Sequence, residues 1–520
     1  MQRFLLIALA GTWIFAGGCS ARQSSSAGNQ PGKPAEISVE VFDRGTDGGK
    51  SNPANNNFTA WIQEKLLKDE NIAVTFTPVP RNAEIPALNN LMAAGNAPDI
   101  CVTYTAAVID AYRDQGGLYD VSPYADSPIL KDLKAFLGPD PAAQGRDLIR
   151  RYEDRNTGKL YAIPAKRIDT AAGIAFIRKD WLDKLGLSIP ETTQQFFDAL
   201  TAFKEKIPES RTIPFAMLTF DMPAGGLIVD SFTDPGISDK DRWIYSNTML
   251  IPGAKEGYRF LNKMYNAGLI DRDFPLYNNY ADWFTVIKSG VVGSFIDLWY
   301  RPLDPSNRVL AGLKENVPGA ELIAVDPFKN AEGVTRKTSY DVTGILSMIP
   351  AFSKNPESAL RYLNWLSKYE NMNFLQIGPE GITHDLVEGL PKVKPANGGW
   401  IMNSPNNMDY TIPVNGLYLD AAEKNARVLG FSYPDADPEW IINARSLAIK
   451  NALPPPFAPV TLTAGLPYVQ TLADKMKTFI AAVVTAPAGN FDRVWDEGVA
   501  DYLASGGQAI IDEKKAKWTD

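Results

Sequence analysis

Cysteine and histidine are almost missing from this chain: two cysteines and one histidine among 520 residues. No His/Cys metal cluster can be assembled from them, and any Ser-His-Asp or Cys-His arrangement would have to use His384. A basic excess is missing as well. Lysine and arginine total 52 against 60 acids, for a net charge of −8, and the cations are dispersed, which argues against nucleic acid as a partner. Beyond the amino terminus no stretch approaches the roughly twenty consecutive apolar residues of a membrane span. There is no phosphate-binding glycine loop of the P-loop type, no EF-hand loop and no short tandem repeat.

One apolar run is present, at the start. Arg3 precedes Phe4 to Phe15, and small residues Ala16-Gly17-Gly18 lead to Cys19, the layout of an export signal over residues 1–18. The ending resembles a bacterial lipobox, with Ala16 where leucine is usual, which implies a lipidated Cys19 after cleavage. An ordinary secretory signal cut near Ala21 is the alternative, and either places the folded part outside the cytoplasm. Residues 19–36 are rich in Ser, Gln, Gly and Pro and read as a flexible tether. With Cys19 spent on lipid, Cys101 has no disulfide partner, and between Ile100 and Val102 it reads as a small core hydrophobe.

The mature chain is long enough for two or more domains. Ile37, Val39 and Val41 alternate as in a strand, and Asn57 is expected to cap a helix carrying Phe58, Trp61, Ile62 and Leu66 on one face. Ile72–Val79 reads as a second strand. Ile85, Leu88, Leu91 and Met92 share a helical face stopped at Gly95, and Asp99–Thr103 is a short third strand. This order predicts a parallel sheet covered by helices. It recurs at strand 173–177, at a helix over 180–185, at a helix opened by a Thr192/Gln195 capping box, at a helix through Tyr258, Leu261, Met264 and Tyr265, and at a helix begun by Asn355-Pro356. Pro454-Pro-Pro456 marks a stiff extended link.

Six stretches in order carry a resemblance: Leu88-Asn-Asn-Leu-Met-Ala-Ala-Gly-Asn-Ala-Pro-Asp99, Gly117-Leu-Tyr-Asp-Val-Ser-Pro-Tyr124, Gly158-Lys-Leu-Tyr-Ala-Ile-Pro164, Ile177-Arg-Lys-Asp-Trp-Leu-Asp-Lys-Leu-Gly-Leu187, Leu261-Asn-Lys-Met-Tyr-Asn-Ala-Gly-Leu-Ile-Asp271 and Gly378-Pro-Glu-Gly381. Together they resemble the extracellular solute-binding lipoproteins of bacterial ABC transporters, the carbohydrate-type branch related to maltose-binding protein, in its large Paenibacillus-type form. The motifs read mainly as structural, so they point to the fold without naming the ligand. The resemblance implies an α/β type II periplasmic-binding-protein fold, two α/β lobes joined by a hinge with multiple crossings. Residues 36–165 with 338–402 would form the first lobe, and 166–337 with 410–520 the second. It also implies a sugar ligand in the cleft, delivery to ABC permease subunits whose ATP hydrolysis resides in another chain, membrane attachment through the lipid alone, and action as a monomer. No cofactor is expected. Some relatives bind calcium, for which the sequence offers no motif.

A sugar presents apolar C–H faces and a fringe of hydroxyls, so its site needs aromatic platforms and planar polar groups. Gly293-Ser-Phe-Ile-Asp-Leu-Trp-Tyr-Arg301 is a strand ending in such a cluster. Trp299 and Tyr300 are the expected platforms, Asp297 and Arg301 the expected hydrogen-bonding partners. On the first lobe Arg44 follows the opening strand and Tyr104 the third. Arg167 sits at the first crossing and Tyr340 with Asp341 at the second; each of these would equally serve as an interdomain pair that stiffens the hinge. Trp243, Trp283 and Trp400 are weaker candidates, and His384 reads as structural. The arginines hint at an anionic group, so neutral oligosaccharides, acidic oligosaccharides and peptides all stay open as ligands. The competing class is a secreted glycoside hydrolase, since 60 acids would supply a catalytic carboxylate pair by chance.

Overall fold

The computed structural model describes residues 32–518 apart from 140–146, 155–156, 208–210, 222–223, 235, 247, 278, 305–306, 330–335, 395–398, 420, 432, 434–435, 459 and 461. The export signal and Cys19 lie outside the described residues. Among these residues no helix is long and apolar enough to cross a membrane.

In chain order the strands are β1 Ala35–Asp43, β2 Ile72–Pro80, β3 Cys101–Thr103, β4 Ile163–Arg167, β5 Gly173–Arg178, β6 Ser294–Leu298 and β7 Leu322–Val325. They continue as β8 Lys337–Thr338, β9 Thr343–Met348, β10 His384–Val387, β11 Leu390–Val393, β12 Val414–Asn415 and β13 Ala452–Leu453. β1 and β2 pair in parallel over their whole length. A bridge from Val39 to Ile100 joins them to a sheet of order β12-β4-β9-β3. The second sheet has the order β6-β5-β7. The expectation of parallel sheets holds only in part. β9 runs antiparallel to both β3 and β4, and β5 runs antiparallel to β6 and β7. Strands that enter a lobe by crossing from the other arrive from the opposite end, which turns the pairing around.

Both sheets are covered on two faces. In β5, Ile174 and Phe176 enter one core with Phe295 and Trp283, while Ala175 and Ile177 enter the other with Phe203, Ile296 and Val483. In β1, Ile37, Val39 and Val41 share a core with Phe58, Ile62 and Leu66. The first helix begins one residue earlier than the cap expected at Asn57: Asn56 is the cap, accepting from the Phe58 and Thr59 amides while Thr59 Oγ1 accepts from the Asn56 amide. The Thr192/Gln195 capping box forms as expected. Asn355 makes no side-chain cap bond, and its amide donates to Glu36 O instead. Ile85 is 36% exposed, off the buried face that Leu88 occupies.

The boundary expected at residue 410 comes too early. Tyr410 and Ile412 belong to the first core, and β12 pairs with β4, so this segment still serves the first lobe. Leu429 and Tyr433 are the next described residues of the last segment to pack against a second-lobe core, and Ile441, Ala444 and Ala448 lie inside it. The crossings are tied to one another: Tyr340 N donates to Thr170 O at 2.9 Å, Ser339 N to Leu453 O at 2.9 Å, and β8 pairs in parallel with β13.

Glu40 points from β1 into the opposite face, fully buried, with Oε2 accepting from the Val102 amide at 3.0 Å and Oε1 without a partner among the described residues. Burial raises its carboxyl from 4.5 to about 8, outweighing the hydrogen bond. The folded chain therefore keeps a proton that the unfolded chain has lost. The resulting stability is full below the unfolded value and falls as pH rises through the folded one, by about 1.4 kcal/mol per pH unit. Glu40→Gln is expected to unfold like the parent near pH 4 and to resist denaturant better at pH 8. Urea midpoints at the two pH values check this, and equal midpoints at pH 8 would refute it.

Candidate functional site

The crossings gather side chains from both lobes. On the first lobe, β1 delivers Phe42 and Arg44, the turn after β2 delivers Arg81, and β3 delivers Tyr104. Phe42 and Tyr104 stack with centroids 6.2 Å apart, and the Arg81 guanidinium lies 5.0 and 4.9 Å from their centroids. Arg44 Nε and Nη2 donate to Asp409 at 2.7 and 2.8 Å. The Asp409 side chain is fully buried, and it also accepts from Asn403 at 2.8 Å. The Tyr104 hydroxyl accepts from Asn415 at 3.2 Å, and its burial raises its pKa.

Arg167, at the end of β4, is the turning point. Its Nε donates to Asp341 O at 3.0 Å and its Nη1 to Asn415 Oδ1 at 3.3 Å, and the guanidinium lies 4.8 Å from the Tyr340 ring centroid. Unlike Arg44, Arg81 and Arg301, it has no carboxylate within ion-pair distance among the described residues. Tyr340 stands within electrostatic reach of Arg167 on the first-lobe side and of Tyr300, Arg301 and Asp221 on the second, and its hydroxyl is pushed up to about 12 by burial. Close backbone approach holds this point together. A Cβ on Gly344 of β9 would lie 2.7 Å from Asn415 Cβ, so Gly344→Ala is expected to displace Asn415 and with it Arg167 and Tyr104. Its readout is a lower melting temperature together with weaker ligand binding.

On the second lobe Arg301 lies with its guanidinium 4.2 Å from the Tyr280 centroid, while the Tyr280 hydroxyl donates to Asp221 at 2.5 Å. Arg301 Nη1 is 2.9 Å from Asp297 Oδ1 in an ion pair. Asp297 has no exposed surface, and burial lifts its carboxyl to about 7 against the lowering effect of Arg301. Asp297, expected as a hydrogen-bonding partner of the ligand, is fully buried and orients Arg301.

Trp299 is corrected too. It is 4% exposed and packed in the second-lobe core, edge-on to Tyr300 at 5.6 Å and to Tyr433 at 6.3 Å, so it has no free face to offer. Tyr300 beside it is only partly buried and packs against the same core from its surface. Asp341 is committed within the fold, paired with Arg151 and accepting from Thr343. Trp243 and Trp283 are core residues, and Trp400 packs edge-on to Phe58 at 4.9 Å. His384 is buried at the start of the β10–β11 hairpin, and Cys101 is a buried thiol.

The structure thus brings Arg44, Tyr104, Arg167, Tyr340, Tyr300 and Arg301 into one band across the crossings. Sequence reasoning missed Arg81, Asp409, Asn415, Asp221 and Tyr280. One signal for Asp221 was available: Phe220-Asp221 ends a segment Ile213–Leu218 that bridges to β6, the same strand-then-polar-aromatic pattern read at 293–301. Asp409 carries no such signal, because its partner Arg44 is 365 residues away.

Two α/β lobes linked by several crossings, with aromatic and guanidinium groups from both meeting at the crossings, define a ligand-binding clamp. The chain belongs to the bacterial extracellular solute-binding protein family, whose pattern it matches over residues 51–373. It is 25% identical over 410 residues to lipoprotein LipO of Bacillus subtilis, covering 75% of this chain and 74% of that protein. It is 27% identical over 349 residues to a carbohydrate ABC transporter substrate-binding protein of Streptococcus pneumoniae, covering 60% of this chain and 64% of that protein. Its fold is similar to that of an HMO-binding solute-binding protein associated with an ABC transporter of Bifidobacterium longum infantis, with a TM-score of 0.64, 18% identity, and coverage of 93% of this chain and 98% of that one.

Proposed function

We propose that this chain captures a saccharide between its lobes outside the cytoplasm, tethered through a lipidated Cys19, and hands it to the permease of an ABC importer. The observation that carries this reading is the band from Arg167 and Tyr340 to Tyr300 and Arg301, which only a ligand held by both lobes can span. Closure is then a population shift: a ligand favours the closed form only by the contacts it makes with both lobes at once. The tyrosine rings supply faces for C–H surfaces, and Arg167, with donors not committed to a carboxylate, supplies hydrogen bonds to hydroxyl or carboxylate oxygens. The names of the carbohydrate relatives agree with a sugar as cargo.

The hydrolase reading is not favoured. Of the second-lobe carboxylates at this site, Asp297 is buried and both it and Asp221 are drawn to Arg301, an arrangement that orients a guanidinium. The test is a thermal-shift screen of neutral and acidic oligosaccharides with product analysis of each mixture. A true ligand at a hundredfold excess over Kd adds about 2.7 kcal/mol of stability and is recovered unchanged. Cleavage of the sugar, or no shift with any saccharide, would refute the reading.

A further inference from the structure

Beside the band, inside the second lobe, lies a cavity of about 510 Å³, within the roughly 300–1,000 Å³ of small-ligand sites. It shares Phe220 and Asp221 with the band and is otherwise walled by the helix Gly226–Asp230, the helices Ala254–Asn266 and Val469–Thr485, and the crossing residues Thr338 and Leu453. Two of its polar groups are incompletely satisfied by the fold. Thr219 is 1% exposed and its Oγ1 has no hydrogen-bond partner among the described residues. Among the described residues Asp230 receives hydrogen bonds only from Thr338, whose Oγ1 donates to Oδ2 at 3.2 Å, so most of the four lone-pair positions of its carboxylate stay open there.

The cations around the cavity do not take up that capacity. Arg242 is held by Asp239 at 3.0 Å and by Pro454 O at 2.8 Å, Arg336 donates to Asp234 O at 2.7 Å, and Lys337 is paired with Asp326 at 2.7 Å. Lys477 lies 5.8 Å from the Phe220 ring. A recessed carboxylate and a buried hydroxyl left short of partners are costly unless something else supplies donors. Adjacent hydroxyls of a sugar ring supply two donors at the spacing of two carboxylate oxygens, and the partly buried Phe220 offers an apolar wall.

We propose that this cavity is a hydroxyl-reading subsite for one end of the saccharide, with Asp230 accepting from neighbouring ring hydroxyls and Thr219 completing the set. The subsite rests on the saccharide reading above and deepens it. Because Asp230 bonds to Thr338 on a crossing strand, occupation of the subsite also bears directly on the hinge.

The test takes the full chain and the neutral oligosaccharide that stabilises it most in the screen, and measures affinity by calorimetry for the parent, Asp230→Asn, Thr219→Val and Tyr300→Ala. Asp230→Asn is expected to lose roughly tenfold or more in affinity and Thr219→Val severalfold. Thr219→Val removes a hydroxyl that the fold does not use, so its melting temperature without ligand should match the parent; it decides the question should Asp230→Asn fold poorly. If Tyr300→Ala loses affinity while Thr219→Val and Asp230→Asn bind like the parent, the subsite is wrong and the saccharide reading stands. If only oligouronates bind and Asp230→Asn binds them more tightly, the subsite repels its ligand and the inference fails. If no saccharide binds the parent, both fall together.

Discussion

Arg44→Ala is expected to destabilise the chain by about 3–5 kcal/mol, because it strands the Asp409 carboxylate, which has no exposed surface, without its countercharge. The pair is bidentate, and the Arg44 pKa is raised by Asp409 against the opposing effect of burial. Asn403 alone cannot compensate a buried charge. Urea unfolding should show the loss as a lower midpoint at unchanged slope. Arg44→Met combined with Asp409→Asn should recover much of it, since removing both charges avoids the desolvation cost that removing one exposes. An Arg44→Ala midpoint equal to that of the parent would show that Asp409 is solvated or otherwise paired. The same variant separates two roles for Arg44. With two donors on Asp409, its main effect should be on folding of the first lobe, and affinity corrected for the folded fraction should change little.

Tyr300→Ala carries the largest expected effect on binding. A half-buried aromatic at the meeting of two lobes has the character of an interface hot spot, for which truncation costs 2 kcal/mol or more, roughly 30-fold in Kd. Its ring already rests on Trp299, so the platform is held in place before the ligand arrives. Tyr300→Phe keeps the ring and should keep most of the affinity. Trp299→Ala is expected to act otherwise. It opens a hole in the second-lobe core and lowers stability by about 3–5 kcal/mol, with the effect on ligand following from unfolding. Calorimetric titration of the folded variants distinguishes them: if Trp299→Ala folds normally and loses binding while Tyr300→Ala binds normally, the assignment of platform and core is reversed.

These two residues also show where sequence reasoning stops. The run from Gly293 to Arg301 announces a strand with a polar and aromatic end, and that much was legible. The sequence puts Trp299 and Tyr300 together as platforms, but it does not say which of the two is core. That depends on Tyr433 and the helix Pro438–Ile449, which close over Trp299 from more than a hundred residues away. Asp297 is similar. Its type and place suggested a ligand contact, and its complete burial, known only from the packing of the neighbouring layers, makes it the residue that holds Arg301. Arg167 and Tyr340 were legible as crossing residues, since each follows a strand pattern at a lobe boundary, whereas the contact between them was not.

The sequence alone determined the extracytoplasmic design of the amino terminus as an expectation, the scarcity of histidine and cysteine, the lack of a P-loop motif, and the two α/β bodies, because composition, helix caps and strand periodicity are local and additive along the chain. Only the tertiary structure decided that β9 and β5 turn their sheets antiparallel, that residues 410–415 return to the first lobe, and that Trp299 and Asp297 are buried while Tyr300 and Arg167 keep exposed surface. The reason is physical: pairing direction, burial and the partner of each charge are properties of surfaces brought together from hundreds of residues apart, and no local pattern encodes which surface arrives.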